Sequence, residues 1–262
     1  MKEVCTVFTY QRDELLYLCL EAIRNQDAKI PIAVFPDRGH GSEDLFNTVR
    51  KFAASSISHS HTISYGNSYN LIEGLRWAVG SGAEIVHAIE DDTIIHKNYL
   101  DWARVRLSSS RAGIPSFAVA LGRIPGDTLS TWYESPCASW NASCLSMCLE
   151  KVPIGYFANT REEMQTIVDA AFPHSRYKFG SAEQDGFFLR CLEFFKWKTA
   201  YPDHSFASHI GTYGYNREGG VKPDGTFDER IAFFRKLLYD RARRTELFGQ
   251  RITDSEMEGL LR

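Results

Sequence analysis

The feature that most limits how this chain can fold is the alternation, over its first half, of short apolar runs with helix-like segments. Strand-like runs stand at Val4–Thr9, Ile30–Phe35, His61–Tyr65 and Ile85–Ile89. Between them, Asp13–Asn25, Ser42–Ala54 and Ser68–Val79 carry helical spacing, with Asp13 and Ser42 placed as N-caps and Gly80 and Gly82 closing the third. Parallel strands need a crossover between them, and a helix is the usual crossover, so this alternation predicts βαβ units and a mostly parallel central sheet flanked by helices. The expected class is α/β, Rossmann-like. In such sheets ligands collect just beyond the carboxyl ends of the strands.

The fourth run ends at such a place in a chemically loaded way. Ile85, Val86, His87, Ala88 and Ile89 lead directly into Glu90, Asp91 and Asp92, followed by Thr93, Ile94 and Ile95. Three adjacent carboxylates repel one another unless positive charge lies among them, and a divalent cation carrying phosphate oxygens is the common solution. The bland alternative is a solvated acidic turn. Arg12 stands just after the first run, and Asp37 just after the second within Phe35, Pro36, Asp37, Arg38, Gly39 and His40. Strand ends gather on one edge of a parallel sheet, so Arg12, Asp37 and Glu90 to Asp92 are expected to face one crevice. Asp37 also suits a turn, and Arg12 a surface cap.

The second half is less regular. A helix over Asn98–Leu107 and a strand over Phe117–Leu121 lead into a Gly, Pro, Ser and Trp-rich stretch reaching Cys137. Thr160 and Glu163 form a capping box for a helix running through Ala171, and Ala182–Phe195 reads as another helix with Glu183, Gln184 and Asp185 near its start. His204–Gly225 reads as a loop, and Asp228–Phe248 as a final helix rich in basic residues, among them Arg235, Lys236, Arg241, Arg243 and Arg244, with Arg251 just beyond it. No repeat or linker interrupts the 262 residues, so a single domain over 1–262 is expected, divided into a binding half at 1–95, a second half at 96–225 and a C-terminal helix at 226–262.

Composition narrows the partners only partly. A formal charge of −3 gives no global attraction to nucleic acid or anionic lipid. Apolar runs stay well short of the roughly 18 to 20 residues that cross a bilayer, and the N-terminus passes straight into the first strand. The expectation is a cytoplasmic protein with no membrane span. Cys5, Cys19, Cys137, Cys144, Cys148 and Cys191 show no paired ligand spacing and read as buried free thiols.

Taken in order, Arg12, then Asp37 with Gly39 and His40, then Glu90, Asp91 and Asp92 resemble nucleotide-sugar glycosyltransferases of the GT-A fold, particularly the N-acetylglucosaminyltransferase I type. That family carries an arginine after its first strand, an aspartate followed by Gly and His after its second, and a Glu, Asp, Asp triplet as its variant of the DxD motif. The likeness is patchy and spreads over most of residues 4–220. It implies that Arg12 and Asp37 contact the nucleoside, that Glu90 and Asp91 belong to the nucleotide-sugar site with Asp91 near ribose or sugar, and that Asp92 reaches Mn²⁺ or Mg²⁺ bridging the diphosphate. It further implies that Asp185 is the base of an inverting reaction, with Glu183 its competitor, and that 96–225 is a mixed acceptor-binding part. An acidic residue in a first helical turn also suits the helix dipole alone.

The resemblance makes Trp140, within Ala138 to Ala142, a donor-sugar or acceptor wall, and Trp140 fits an ordinary core position equally well. His209 is a candidate metal ligand from a late loop that also holds His204, while Tyr213, Tyr215, Asn216 and Arg217 suit a clamp on diphosphate or acceptor. The implied partners are a nucleotide-sugar donor, UDP-linked in the first instance, and an acceptor hydroxyl on a glycan or on a hydroxymethylated pyrimidine in DNA. Two other readings compete. One is a nucleotide-sugar or glycan-binding module without turnover. The other is an acidic-site phosphotransferase, which needs an aspartate two residues before a second one, where this chain has Glu90.

Overall fold

In the computed structural model, the described residues are 1–26, 29–37, 41–57, 67–108, 116–119, 129–130, 137–153, 161–177, 184–202, 205–210 and 222–245. The chain begins with β1 (Glu3–Thr9), α1 (Asp13–Arg24), β2 (Ile32–Pro36), α2 (Glu43–Lys51), β3 (Ser55–Ser56), α3 (Asn67–Gly80) and β4 (Ile85–Glu90). β1 pairs in parallel with β2 on one side and β4 on the other, with Val7 opposite both Val34 and Ile89. All seven residues of β1 are buried, as expected of a strand covered on both faces.

Beyond β4 the pattern changes. β5 (Thr93–Ile95) and α4 (Tyr99–Ser108) are followed by β6 (Ser116–Val119), β7 (Leu129–Ser130), β8 (Cys137–Asn141) and α5 (Ala142–Leu149). Then come α6 (Arg161–Ala171), α7 (Gln184–Phe195), β9 (Lys198–Ala200), β10 (Ala207–His209) and α8 (Phe227–Thr245). Among the described residues the main sheet runs β3-β2-β1-β4-β8-β6-β9-β7, and β10 pairs with β5 in a separate two-stranded ribbon. β8 is antiparallel to β4, so the sheet is parallel at one end and mixed at the other.

Two apolar layers enclose the sheet. Cys5, Val7, Ile85, Ile89 and Cys137 pack against α1, α2, α4 and α8, while Val4, Phe8, Val86, Ala88 and Trp140 pack against α3, α5, α6 and α7. α3 lies so close to the sheet that a Cβ on Gly74 would stand 2.5 Å from Phe8 Cε1 and 3.1 Å from Phe35 Cγ. All six cysteines are free and buried, as the apolar contexts implied. No helix among the described residues is long and apolar enough to cross a membrane.

One polar cluster sits within the first layer. Arg104 and His87 both bond Glu3, His87 Nδ1 lies 2.7 Å from Ser139 Oγ, and Tyr99 Oη lies 2.8 Å from the same hydroxyl. Burial works against the Glu3 charge, but His87 and Arg104 hold its carboxyl down at about 2. Burial keeps His87 below its ordinary range despite Glu3.

Several expected boundaries move. The second strand is Ile32–Pro36, two residues later than its apolar run begins, and the helix capped by Ser42 stops at Lys51, just before Ala53 turns to a φ of 48°. The expected strand at 61–65 lies outside the described residues. β3, which directly follows the helix expected over Ser42–Ala54, was not expected as a strand and pairs with β2. The last helix begins at Phe227 and is described to Thr245.

Candidate functional site

The end of β1 turns sharply into α1. Gln11 adopts a φ of 55°, and Arg12 occupies the N-cap position with a φ of −125° and a ψ of 55°. This reversal sends the Arg12 side chain back across the sheet edge toward the end of β4. There its Nε lies 3.3 Å from Asp91 Oδ2, its Nη2 pairs with Asp91 Oδ1, and its Nη1 stands 2.6 Å from Asp92 Oδ2. Asp91 is further held by the backbone, with its own N–H donating to Phe8 O at 3.0 Å and Tyr10 N–H donating to Oδ2 at 3.3 Å.

His209 arrives from a distant part of the chain. β10 runs antiparallel to β5 with His209 opposite Thr93, and Ile210 N–H donates to Asp92 O at 2.8 Å. The imidazole Nε2 thereby comes within 3.2 Å of Asp92 Oδ1. Ligand atoms of Glu90, Asp92 and His209 all lie within 4.8 Å of one another.

The electrostatics follow from crowding carboxylates at a largely buried strand end. Burial, then the charges of Asp92 and Asp185, push Glu90 up to about 7. Burial also pushes Asp91 up to about 6 against the pull of Arg12. Asp92 goes the other way: burial opposes its charge, but hydrogen bonds from His209 and Arg12 hold it below the usual carboxylate range. Burial likewise opposes the Arg12 charge, and Asp91, Asp92 and Glu90 outweigh it. A site with surplus negative charge and an oxygen, oxygen, nitrogen donor set fits a divalent cation.

Arg12, Glu90, Asp91, Asp92 and His209 come together at the carboxyl end of the sheet. Asp185, in the first turn of α7, is near enough for its charge to act on Glu90. Asp37 follows the last residue of β2 on the same edge and is buried. Asp91 is fully buried under Arg12. Trp140 has no exposed surface, and its ring centroid lies 4.5 Å from that of Phe188 in the core. Gly39, His40, Glu183, His204, Tyr213, Tyr215, Asn216 and Arg217 lie outside the described residues. Tyr10, whose N–H bonds Asp91, had no recognisable sequence signal because it follows a plain strand end.

No protein-family model and no curated protein matches the sequence. Solved structures do. The S. aureus TarS fragment 1-349 in complex with UDP-GlcNAc matches at TM-score 0.55 and 12% identity, covering 100% of this chain and 70% of that one. A longer TarS chain gives TM-score 0.50 at 12% identity, with 42% of that chain covered. The mannosyltransferase PcManGT from Pyrobaculum calidifontis, in complex with GDP-Man and Mn²⁺, gives TM-score 0.44 and 17% identity over 56% of this chain. This chain thus spans about half of that mannosyltransferase, 46%, and less than half of the longer TarS chain. Its mixed sheet, parallel at the acidic edge and flanked by helices on both faces, is the GT-A, Rossmann-like fold of nucleotide-sugar glycosyltransferases.

Proposed function

We propose that this protein is a metal-dependent, inverting glycosyltransferase that moves a sugar from a nucleoside-diphosphate sugar, UDP-linked in the first instance, to an acceptor hydroxyl. The single observation that carries the reading is the convergence of Glu90, Asp92 and His209 at the carboxyl end of β4, on a fold shared with nucleotide-sugar enzymes. The order of Arg12, Asp37 and the Glu90 to Asp92 triplet supports a site of the N-acetylglucosaminyltransferase I kind.

Glu90, Asp92 and His209 would hold Mn²⁺ or Mg²⁺, and the imidazole favours the transition metal. When bound, such a cation neutralises charge on a departing nucleoside diphosphate as a Lewis acid. Asp37, buried just after β2, would contact the nucleoside. Asp185 accepts the proton of the acceptor hydroxyl, which needs a carboxylate within about 2.6 to 3.2 Å as attack proceeds. The acceptor hydroxyl belongs to a glycan or to a hydroxymethylated pyrimidine in DNA; of the basic residues of α8, Arg235 is engaged by Glu21, with Nη2 2.7 Å and 2.8 Å from its two oxygens.

A panel of nucleotide sugars, each with and without Mn²⁺, tests the reading by thermal stabilisation and by nucleoside diphosphate release. Metal-dependent stabilisation with turnover is expected. Stabilisation without any turnover on any acceptor would favour a binding module, and release of inorganic phosphate without sugar transfer would favour phosphotransfer.

A further inference from the structure

We infer that Arg12 is a positioning residue for Asp92: by holding Oδ2 it fixes Oδ1 toward Glu90 and His209, so that the two oxygens of one carboxylate serve different partners. The inference rests on the metal reading of that cluster.

Three observations carry it. Arg12 Nη1 takes Asp92 Oδ2 at 2.6 Å, leaving Oδ1 as the oxygen 3.2 Å from His209 Nε2. The guanidinium is itself clamped, because Nε and Nη2 both engage Asp91, whose Oδ2 also accepts Tyr10 N–H. The line of support therefore runs from the end of β1 through Asp91 and Arg12 to Asp92. Finally, Asp91 and Asp92 are nearly inaccessible, at 0% and 2% exposure, so neither can recruit water freely in place of Arg12. Arginine suits this task because its rigid fork bonds two carboxylates in fixed directions, which a lysine cannot do.

The sign of the effect separates this role from simple charge. A guanidinium beside a cation site repels the cation, so on charge alone removing Arg12 tightens metal binding and exchanging it for lysine changes nothing. Positioning predicts the reverse. Partners that orient metal ligands typically contribute 10- to 100-fold in metal affinity. Arg12→Gln should therefore weaken binding of Mn²⁺ by about tenfold or more, and Arg12→Lys should weaken it as well, although the charge is kept.

Titration of the whole chain with Mn²⁺ alone, followed by loss of the free-ion paramagnetic resonance signal, reads this without turnover. Circular dichroism of the metal-free variants checks their folding. Asp91→Asn keeps Arg12 but removes its anchor, and weaker Mn²⁺ binding is expected there too; with Arg12→Lys it decides the matter if Arg12→Gln does not fold. Binding that is unchanged or tighter in Arg12→Lys and Asp91→Asn, while Asp92→Ala abolishes it, overturns the positioning role and leaves the metal site standing. Wild-type protein that takes up no Mn²⁺ overturns both.

Discussion

Asp92 is where sequence neighbours and distant residues meet, and its substitution separates binding from chemistry. Asp92→Ala should abolish Mn²⁺-dependent donor binding in a titration. Asp185→Asn should leave donor binding within a few-fold and lower transfer by about 10²- to 10⁴-fold, the usual contribution of a general base; an unchanged rate would remove Asp185 from the mechanism. Away from the site, Glu3 gives a prediction with a defined pH window. Folding lowers its carboxyl from 4.5 to about 2, so its stabilisation is complete above pH 4.5 and disappears as the pH falls toward 2. Glu3→Gln should cost roughly 2 kcal/mol near neutral pH by denaturant unfolding, and that difference from wild type should vanish in strong acid. His87, kept neutral by burial, adds acid sensitivity of the same sign in both proteins. The carboxylate triplet was legible because its members are adjacent. The Arg12 partners were not, since that contact exists only once β1 and β4 pair.

At the level of elements, the parallel half was readable because each strand and helix advertises itself locally. Ser42 shows this: its side chain accepts from Leu45 N–H at 2.9 Å, as a sequence cap should. Ser42→Ala should cost about 1 kcal/mol in thermal or denaturant unfolding. Gly74 shows the limit of such reading. Nothing in the helical pattern of α3 reveals that this position touches Phe8 and Phe35, yet Gly74→Ala should destabilise by about 1 to 3 kcal/mol through overpacking, although alanine is the better helix former. A neutral or stabilising result would mean the two rings can move aside. β5 and β10, three residues each, were not legible at all. Strands this short have no periodicity, and only their mutual pairing across a long stretch of chain defines them. Trp140 misleads for a related reason: an aromatic beside small residues suits a sugar wall and a core strand alike, and only the β4–β8 pairing shows which way it points.

Over the whole molecule, one sheet edge collects the chemistry while helices on both faces fix it. α8 is bound back onto α1 through Arg235 with Glu21 and Arg230 with Glu14, and Phe234 and Leu238 enter the same core layer as β1. The helix that begins at Asp13, directly after Arg12, is therefore braced from behind. The fold class followed from alternation alone, but the mixed half, which brings in β8 and β10, depended on pairings no local pattern encodes. On the proposed function, the acidic end of β4, completed by His209, grips a divalent cation that carries a nucleoside diphosphate. Calorimetric titration of UDP into the wild-type chain, with and without Mn²⁺, tests it most directly. UDP binding should tighten markedly with Mn²⁺ and lose that dependence in Asp92→Ala; UDP affinity unaffected by Mn²⁺ in the wild type would rule out a cation shared by Asp92 and the diphosphate.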